Sequence, residues 1–253
     1  MQILLANAKI MIDKAIEQPW TTPLFQANAN RLASEMATCD IDTLIQKLGC
    51  SRKLAIESWS RYQNFFTAAK IPAVLAYNGQ AYKHMKANSF SQKTLEFAQN
   101  HLWITCFLYG LLRPMDGIVP YRMEQHVVLE ETLNKPINQY WKNKLTETLI
   151  KSVQADDGIL VHLSTEEYEH LFDWSRVCRE IKVIQPFFYV GQADGSLKIQ
   201  AVWAKSCRGA MARFILQNQL AKTEDIYSFC YEGFQYVAHA GEELFPHYIK
   251  EQV

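Results

Sequence analysis

I-N-Q-Y-W-K-N-K-L-T-E-T-L-I-K-S-V-Q-A-D-D-G-I-L-V-H-L, residues Ile137 to Leu163, joins a helical pattern to a strand pattern across one break. Ile137 to Gln154 reads as a long helix, ended by Asp156-Asp157-Gly158, and the apolar run Ile159 to Leu163 reads as a strand. Beyond it Ser164 or Thr165 would cap a short helix with Glu167 in its first turn. Glu180 to Val190 and Ser196 to Trp203 are β-rich runs around Ala193-Asp194-Gly195-Ser196, the composition of a hairpin. Ser206 to Leu220 returns to helical spacing, and the aromatic run Tyr227 to Val237 reads as a strand. In the other direction Leu102 to Tyr109 fits either a strand or a helix, and Ser91 would cap a helix ending at His101. Ala73 to Tyr77 and Gln2 to Ala6 read as strands, with a helix at Gln26 to Thr38. Strands and helices alternate unevenly and some strands are hairpin-linked. This pattern predicts an α+β (mixed α/β) fold, one domain over residues 1–253 with a mixed sheet and surrounding helices.

The chain has 253 residues, 49% hydrophobic and 21% charged, a globular composition able to bury a substantial core. Lysine plus arginine (26) equals aspartate plus glutamate (26), so any affinity for phosphates must come from a local patch. The six cysteines contain no C-x-x-C pair, which removes paired redox or metal spacing. No signal-peptide run or ~20-residue apolar span is present, and free thiols fit a reducing compartment. A cytoplasmic location and no membrane partner are the expectations.

Leu108 to Glu124, L-Y-G-L-L-R-P-M-D-G-I-V-P-Y-R-M-E, places Arg113, Arg122 and Glu124 in an otherwise apolar, turn-rich segment. Unpaired buried charge is costly, so each arginine needs a carboxylate, backbone carbonyls or an anionic ligand. An internal Arg–Glu brace and a ligand site both satisfy that need. Lys205, Arg208 and Arg213 cluster where a strand is expected to feed a helix, and a helix start favours anions. Gly209, unfavourable within a helix, points to close approach by another backbone or a ligand. Lys9 follows the first strand, where open sheets often hold ligands. Residues 40–62 contain Leu44 to Ala55, L-I-Q-K-L-G-C-S-R-K-L-A, which approximates the helix-hairpin-helix pattern h-x-x-h-x-G-h-G-x-x-x-A. Gly49 stands at the first glycine, Ser51 replaces the second, and Arg52 and Lys53 supply cations for a DNA phosphate. An ordinary helical hairpin fits the same residues. Glu166 and His170 lack the second histidine of a metal helix, and no nucleotide-binding glycine loop occurs, so no metal or cofactor is expected. Cys207, beside Arg208, reads as a small core residue.

The Leu108 to Glu124 segment closely resembles the G-L-Y-G-x-L-R-P-x-D-x-x-x-P-Y-R-x-E-M signature of the YaaA family of bacterial peroxide stress proteins. Ile3 to Lys9 resembles its I-L-I-S-P-A-K, Ala76 to Tyr82 its A-F-K-G-D-V-Y, and Phe90 to Leu102 its F-S-x-x-x-x-x-F-A-Q-x-H-L. Leu163 to Tyr168 is similar to L-A-S-x-E-Y, and Ala204 to Leu220 to A-K-x-A-R-G-x-M-x-R-F-I-I-E-N-R-L. These ordered matches span nearly the whole chain. The resemblance implies a cytoplasmic protein that binds double-stranded DNA without sequence preference, limits free iron under peroxide stress and so protects DNA. The candidate DNA- or anion-binding set is Lys9, Gly49, Ser51, Arg52, Lys53, Arg113, Arg122, Lys205, Arg208 and Arg213. A non-enzymatic role is preferred. The alternative is an enzyme acting on a nucleotide or other phosphorylated small molecule, with Glu124 as general acid or base. The chain departs from the family at Ala6-Asn7 for Ser-Pro, and at Asn78 and Gln80 for Lys and Asp. Arg113, Arg122, Lys205 and Arg208 are expected to converge on one anionic site.

Overall fold

Five consecutive residues, Gln2–Ala6, form the central strand: Ile3, Leu4 and Leu5 are buried in the core, and the buried Gln2 amide donates to Asn100 O and Ser152 O. The computed structural model describes residues 1–14 and 16–251. Its first half runs β1 (Gln2–Ala6), α1 (Gln26–Thr38), α2 (Ile41–Leu48), α3 (Arg52–Gln63), β2 (Ile71–Pro72), α4 (Ala73–Ala76) and α5 (Gln80–Met85). Then come α6 (Gln92–His101), β3 (Leu102–Cys106), β4 (Gly110–Leu112), β5 (Gly117–Ile118), α7 (Ile137–Gln154) and β6 (Ile159–Leu163). The last part holds α8 (Glu166–Glu169), α9 (Trp174–Glu180), β7 (Lys182–Ile184), β8 (Phe187–Gly191), β9 (Leu197–Lys198) and α10 (Ala201–Asn218). The hairpin β10 (Cys230–Tyr231) and β11 (Phe234–Tyr236) and the strand β12 (His247–Lys250) follow.

The main sheet has the order β4-β3-β1-β6-β7. β1 lies parallel to β3 and β6, β6 lies parallel to β7, and only β4 runs antiparallel. Parallel strands covered on both faces need mostly apolar residues, which is why β1 and β3 are apolar apart from Gln2 and Thr105. A second mixed sheet has the order β10-β11-β12-β8-β9, and β2 pairs with β5. The mixed α/β class is thus the observed one.

The order of the strands positions the site. The chain leaves β1 for β3 on one side, then returns to β6 on the other side of β1. The carboxyl ends of β1 and β6 therefore flank a reversal in strand order, where successive connections diverge and leave a crevice. α10 lies over β1 and β6 and packs closely on α5. Gly209 permits that contact: a Cβ there would lie 1.8 Å from the carbonyl oxygen of Ala81.

Four local expectations are corrected. Ala73 to Tyr77 is not a strand: Pro72 ends β2, and Ala73 and Val74 donate their amides to Asp116 and Pro114, starting the short helix α4. Of Ser196 to Trp203 only Leu197–Lys198 is a strand, because α10 begins at Ala201. Its first turn contains Val202 and Trp203, β-formers whose preference is overridden by tertiary packing. The Glu180 to Val190 run breaks into the end of α9 and two strands separated at Gln185-Pro186. Of Tyr227 to Val237, Tyr227 and Ser228 end a 3-10 turn and Cys230 to Tyr236 is a hairpin, folded back by a tight turn at Glu232-Gly233.

Candidate functional site

Beyond the ends of β1 and β6 opens a crevice of 590 Å³. One wall is the segment Asn7–Ile10 that leaves β1, and another is Asn78–Lys83 with the start of α5. Thr165, Glu167 and Tyr168 follow β6, and Val202, Lys205 and Arg208 project from α10. Four cations, Lys9, Lys83, Lys205 and Arg208, thus face one carboxylate, Glu167.

These cations are not equivalent. Lys9 donates to Glu124 Oε2 at 2.7 Å, and Arg122 donates to Glu124 Oε1 at 2.8 Å. Glu124, only 8% exposed, thus bridges the two cations. Among the described residues Lys83, Lys205 and Arg208 have no carboxylate within salt-bridge distance. Burial pushes the Arg208 guanidinium below its ordinary value, the cost of holding a half-buried charge without a counterion. A negative ligand in the crevice would remove that cost.

The expected convergence is only partly met. Lys205 and Arg208 share the crevice with Lys9, while Arg122 faces an adjoining recess of 400 Å³ with Arg61, Asp13 and Glu57. Arg113 stands apart from both. Its guanidinium lies 3.4 Å from the Trp103 ring centre and donates to Asn100 O, Leu102 O and Ser152 Oγ. Of the two readings of Arg113, the geometry is that of an internal brace. Arg213 similarly donates to Met85 O, Lys86 O and Ser89 Oγ, closing the carboxyl end of α5. Nor do Lys205, Arg208 and Arg213 mark a helix start, since α10 begins four residues before Lys205.

Two polar networks support the crevice walls. Asn7 donates to Tyr121 OH at 2.9 Å and accepts from Tyr168 OH, while Tyr121 shares a 2.9 Å bond with Tyr77 OH. Gln80 Nε2 lies 3.0 Å from both Ser206 Oγ and His84 Nε2. The amides at Asn7 and Gln80, where the resemblance leads one to expect other groups, are therefore absorbed in internal bonds. Lys83 and Tyr168 were not foreseen, for each sits on an ordinary helical face until the topology brings it to the strand ends. Cys207 is buried, which pushes its thiol up to about 12. Among the described residues no group of His, Cys, Asp and Glu is placed to hold a metal ion. No described helix is long and apolar enough to cross a membrane.

A second feature lies beside the crevice. α2 and α3 form a helical hairpin joined by Gly49-Cys50-Ser51. Gly49 takes a left-handed conformation (φ 56°) that ends α2, and Ser51 Oγ accepts from Leu54 N to cap α3. Among the described residues the amides of Arg52 and Lys53 have no acceptor, and both side chains are exposed. Arg52 also bonds Asp42 at 2.7 Å, an exposed pair of little net strength. Leu54, Glu57, Ser58 and Arg61 of α3 line the recess that continues into the crevice past Lys9.

Residues 1–240 match the family described as peroxide stress protein YaaA. A UPF0246 protein of Bacteroides thetaiotaomicron is 39% identical over 247 residues, covering 96% of each chain. One of Phocaeicola vulgatus is 39% identical over 253 residues, 98% of each chain. A more divergent relative from Crocosphaera subtropica is 32% identical over 242 residues, 93% of this chain and 94% of its own.

Proposed function

The chain belongs to the peroxide stress protein YaaA family, and from that premise we propose that it binds double-stranded DNA, without sequence preference, through the α2–α3 hairpin. The observation that carries the reading is the start of α3. There two backbone amides without acceptors among the described residues and two exposed cations, Arg52 and Lys53, lie behind the left-handed turn at Gly49. Backbone N–H groups at a helix start and adjacent cations attract phosphate and read no base, so the contact is blind to sequence. In this reading the protein works in the cytoplasm, and its action during peroxide stress lowers the free iron that would generate hydroxyl radical at DNA.

The test is a DNA titration at several salt concentrations with the parent and with Arg52→Ala/Lys53→Ala. Each neutralised phosphate releases counterions, so the double variant should bind every sequence more weakly and flatten the salt slope by up to ~2. Its stability should stay within about 0.5 kcal/mol, as for most exposed substitutions. Parental binding by the double variant would move the contact away from the hairpin, and undetectable binding at low salt would remove the proposal.

A further inference from the structure

We propose that the crevice at the ends of β1 and β6 is a second binding site, one that takes a free nucleoside phosphate. Its volume of 590 Å³ falls in the range of small-molecule sites, roughly 300–1,000 Å³, and is far too small for a duplex. The site sits where the strand order reverses, the place at which open parallel sheets hold such ligands. Fold geometry and size therefore agree without appeal to the hairpin.

Charge defines the ligand's first part. With Lys9 paired to Glu124, the side chains left to the crevice are Lys83, Lys205, Arg208 and Glu167, an excess of two positive charges. A phosphate monoester carries about −1.5 to −2 at neutral pH, which matches that excess. Arg208 is the anchor because it is half-buried and unpaired: its planar fork bonds two phosphate oxygens, while Lys83 and Lys205 add point charge from exposed positions.

The rest of the crevice asks for more than a phosphate. Ala6, Ala8 and Leu163 give it apolar floor, and the exposed Ile10 (63%) and Val202 (65%) stand at its rim. Apolar walls of this kind hold the flat face of a heterocycle. Asn78 carries a side-chain amide, and Thr165 a hydroxyl, with no hydrogen-bond partner among the described residues. An amide offers both donor and acceptor to the edge of a base. Ligand phosphate and ligand base thus have separate, complementary surfaces.

Calorimetric titration with adenosine and guanosine 5′-monophosphates tests this, with inorganic phosphate, the bare nucleosides and a single-stranded oligonucleotide as comparisons. The expected result is saturable nucleotide binding, at least tenfold tighter than phosphate or nucleoside. Arg208→Ala should weaken it at least tenfold, and Lys83→Ala/Lys205→Ala, both at exposed positions, should do the same with the fold intact. Arg52→Ala/Lys53→Ala should leave nucleotide binding within twofold, and the crevice variants should leave duplex binding within twofold. Failure of the hairpin reading is thereby separate from failure of this one. No nucleotide binding at millimolar concentration, or binding insensitive to both crevice variants, overturns the proposal. So does phosphate binding as tightly as the nucleotide, or equal loss of oligonucleotide and duplex binding in the crevice variants, which would make the crevice part of the DNA path.

Discussion

Arg113 and His162 show how single buried groups are held. Burial brings the Arg113 guanidinium down to about 10, opposed by the charges of Asp116 and Asp156, while two carbonyls, the Ser152 hydroxyl and the Trp103 face hold it in place. Arg113→Ala should destabilise the protein by about 2–3 kcal/mol in urea unfolding, since bonds to a charged donor and a cation–π contact go together. Arg113→Lys should recover little, because an ammonium cannot reproduce the planar fork. A loss below about 0.5 kcal/mol would remove the brace. His162, fully buried on β6, hydrogen bonds Glu169 through Nε2, but burial outweighs that bond and pushes its pKa below 6.5. The sign follows: the unfolded chain takes up a proton that the folded chain refuses. Stability is present in full above about 6.5 and falls as pH drops from there to the depressed folded value. Replacing His162 by Gln should flatten the urea midpoint between pH 6.5 and the acid limb; an unchanged profile would show that the imidazole does not titrate against folding.

At the scale of elements, the α5–α10 contact makes the sharpest demand. Gly→Ala within a helix ordinarily stabilises by about 0.5–1 kcal/mol. At Gly209 the sign should reverse, because the new methyl meets a backbone carbonyl, Ala81 O, which cannot rotate aside. Gly209→Ala should cost about 3 kcal/mol or more by forcing the helices apart, read as a lowered Tm or as failure to fold. A variant as stable as the parent would mean that α5 yields freely. That glycine was legible beforehand, since a glycine amid helix formers needs a reason. So were β1, α1, α6, α7 and β6, whose periodicity, with the Ser91 cap of α6, acts locally. The start of α10 was not: Val202 and Trp203 favour a strand, and only packing on α5 and the sheet makes them helical. The brace at Arg113 was one of two open readings and the role of Arg213 was hidden, because carbonyls from distant segments satisfy both. Lys9, Lys205 and Arg208 could be listed as cations, but their sharing a crevice with Lys83 depends on strand order, which no local pattern encodes.

For the whole molecule, electrostatics is a matter of distribution. Positive and negative side chains number 26 each, so no global field draws the chain to DNA. Attraction must come from a local patch, Arg52 and Lys53 on the hairpin, while Lys205 and Arg208 lie apart in the crevice. If the hairpin alone grips the duplex, about two to four phosphates are neutralised, and the slope of log affinity against log salt should be about −2 to −4. Raising salt from 50 to 200 mM should then weaken binding only about 15- to 250-fold, against the losses of about 10³ or more seen for extensive phosphate contacts. A slope steeper than about −6 would need more cations than the hairpin presents and would extend the DNA path into the crevice. Arg208→Ala would then flatten the slope as Arg52→Ala/Lys53→Ala does, whereas a hairpin-only contact leaves the slope of Arg208→Ala at the parental value. The two variants measured across one salt series therefore decide whether the molecule has one anionic path or two separate sites.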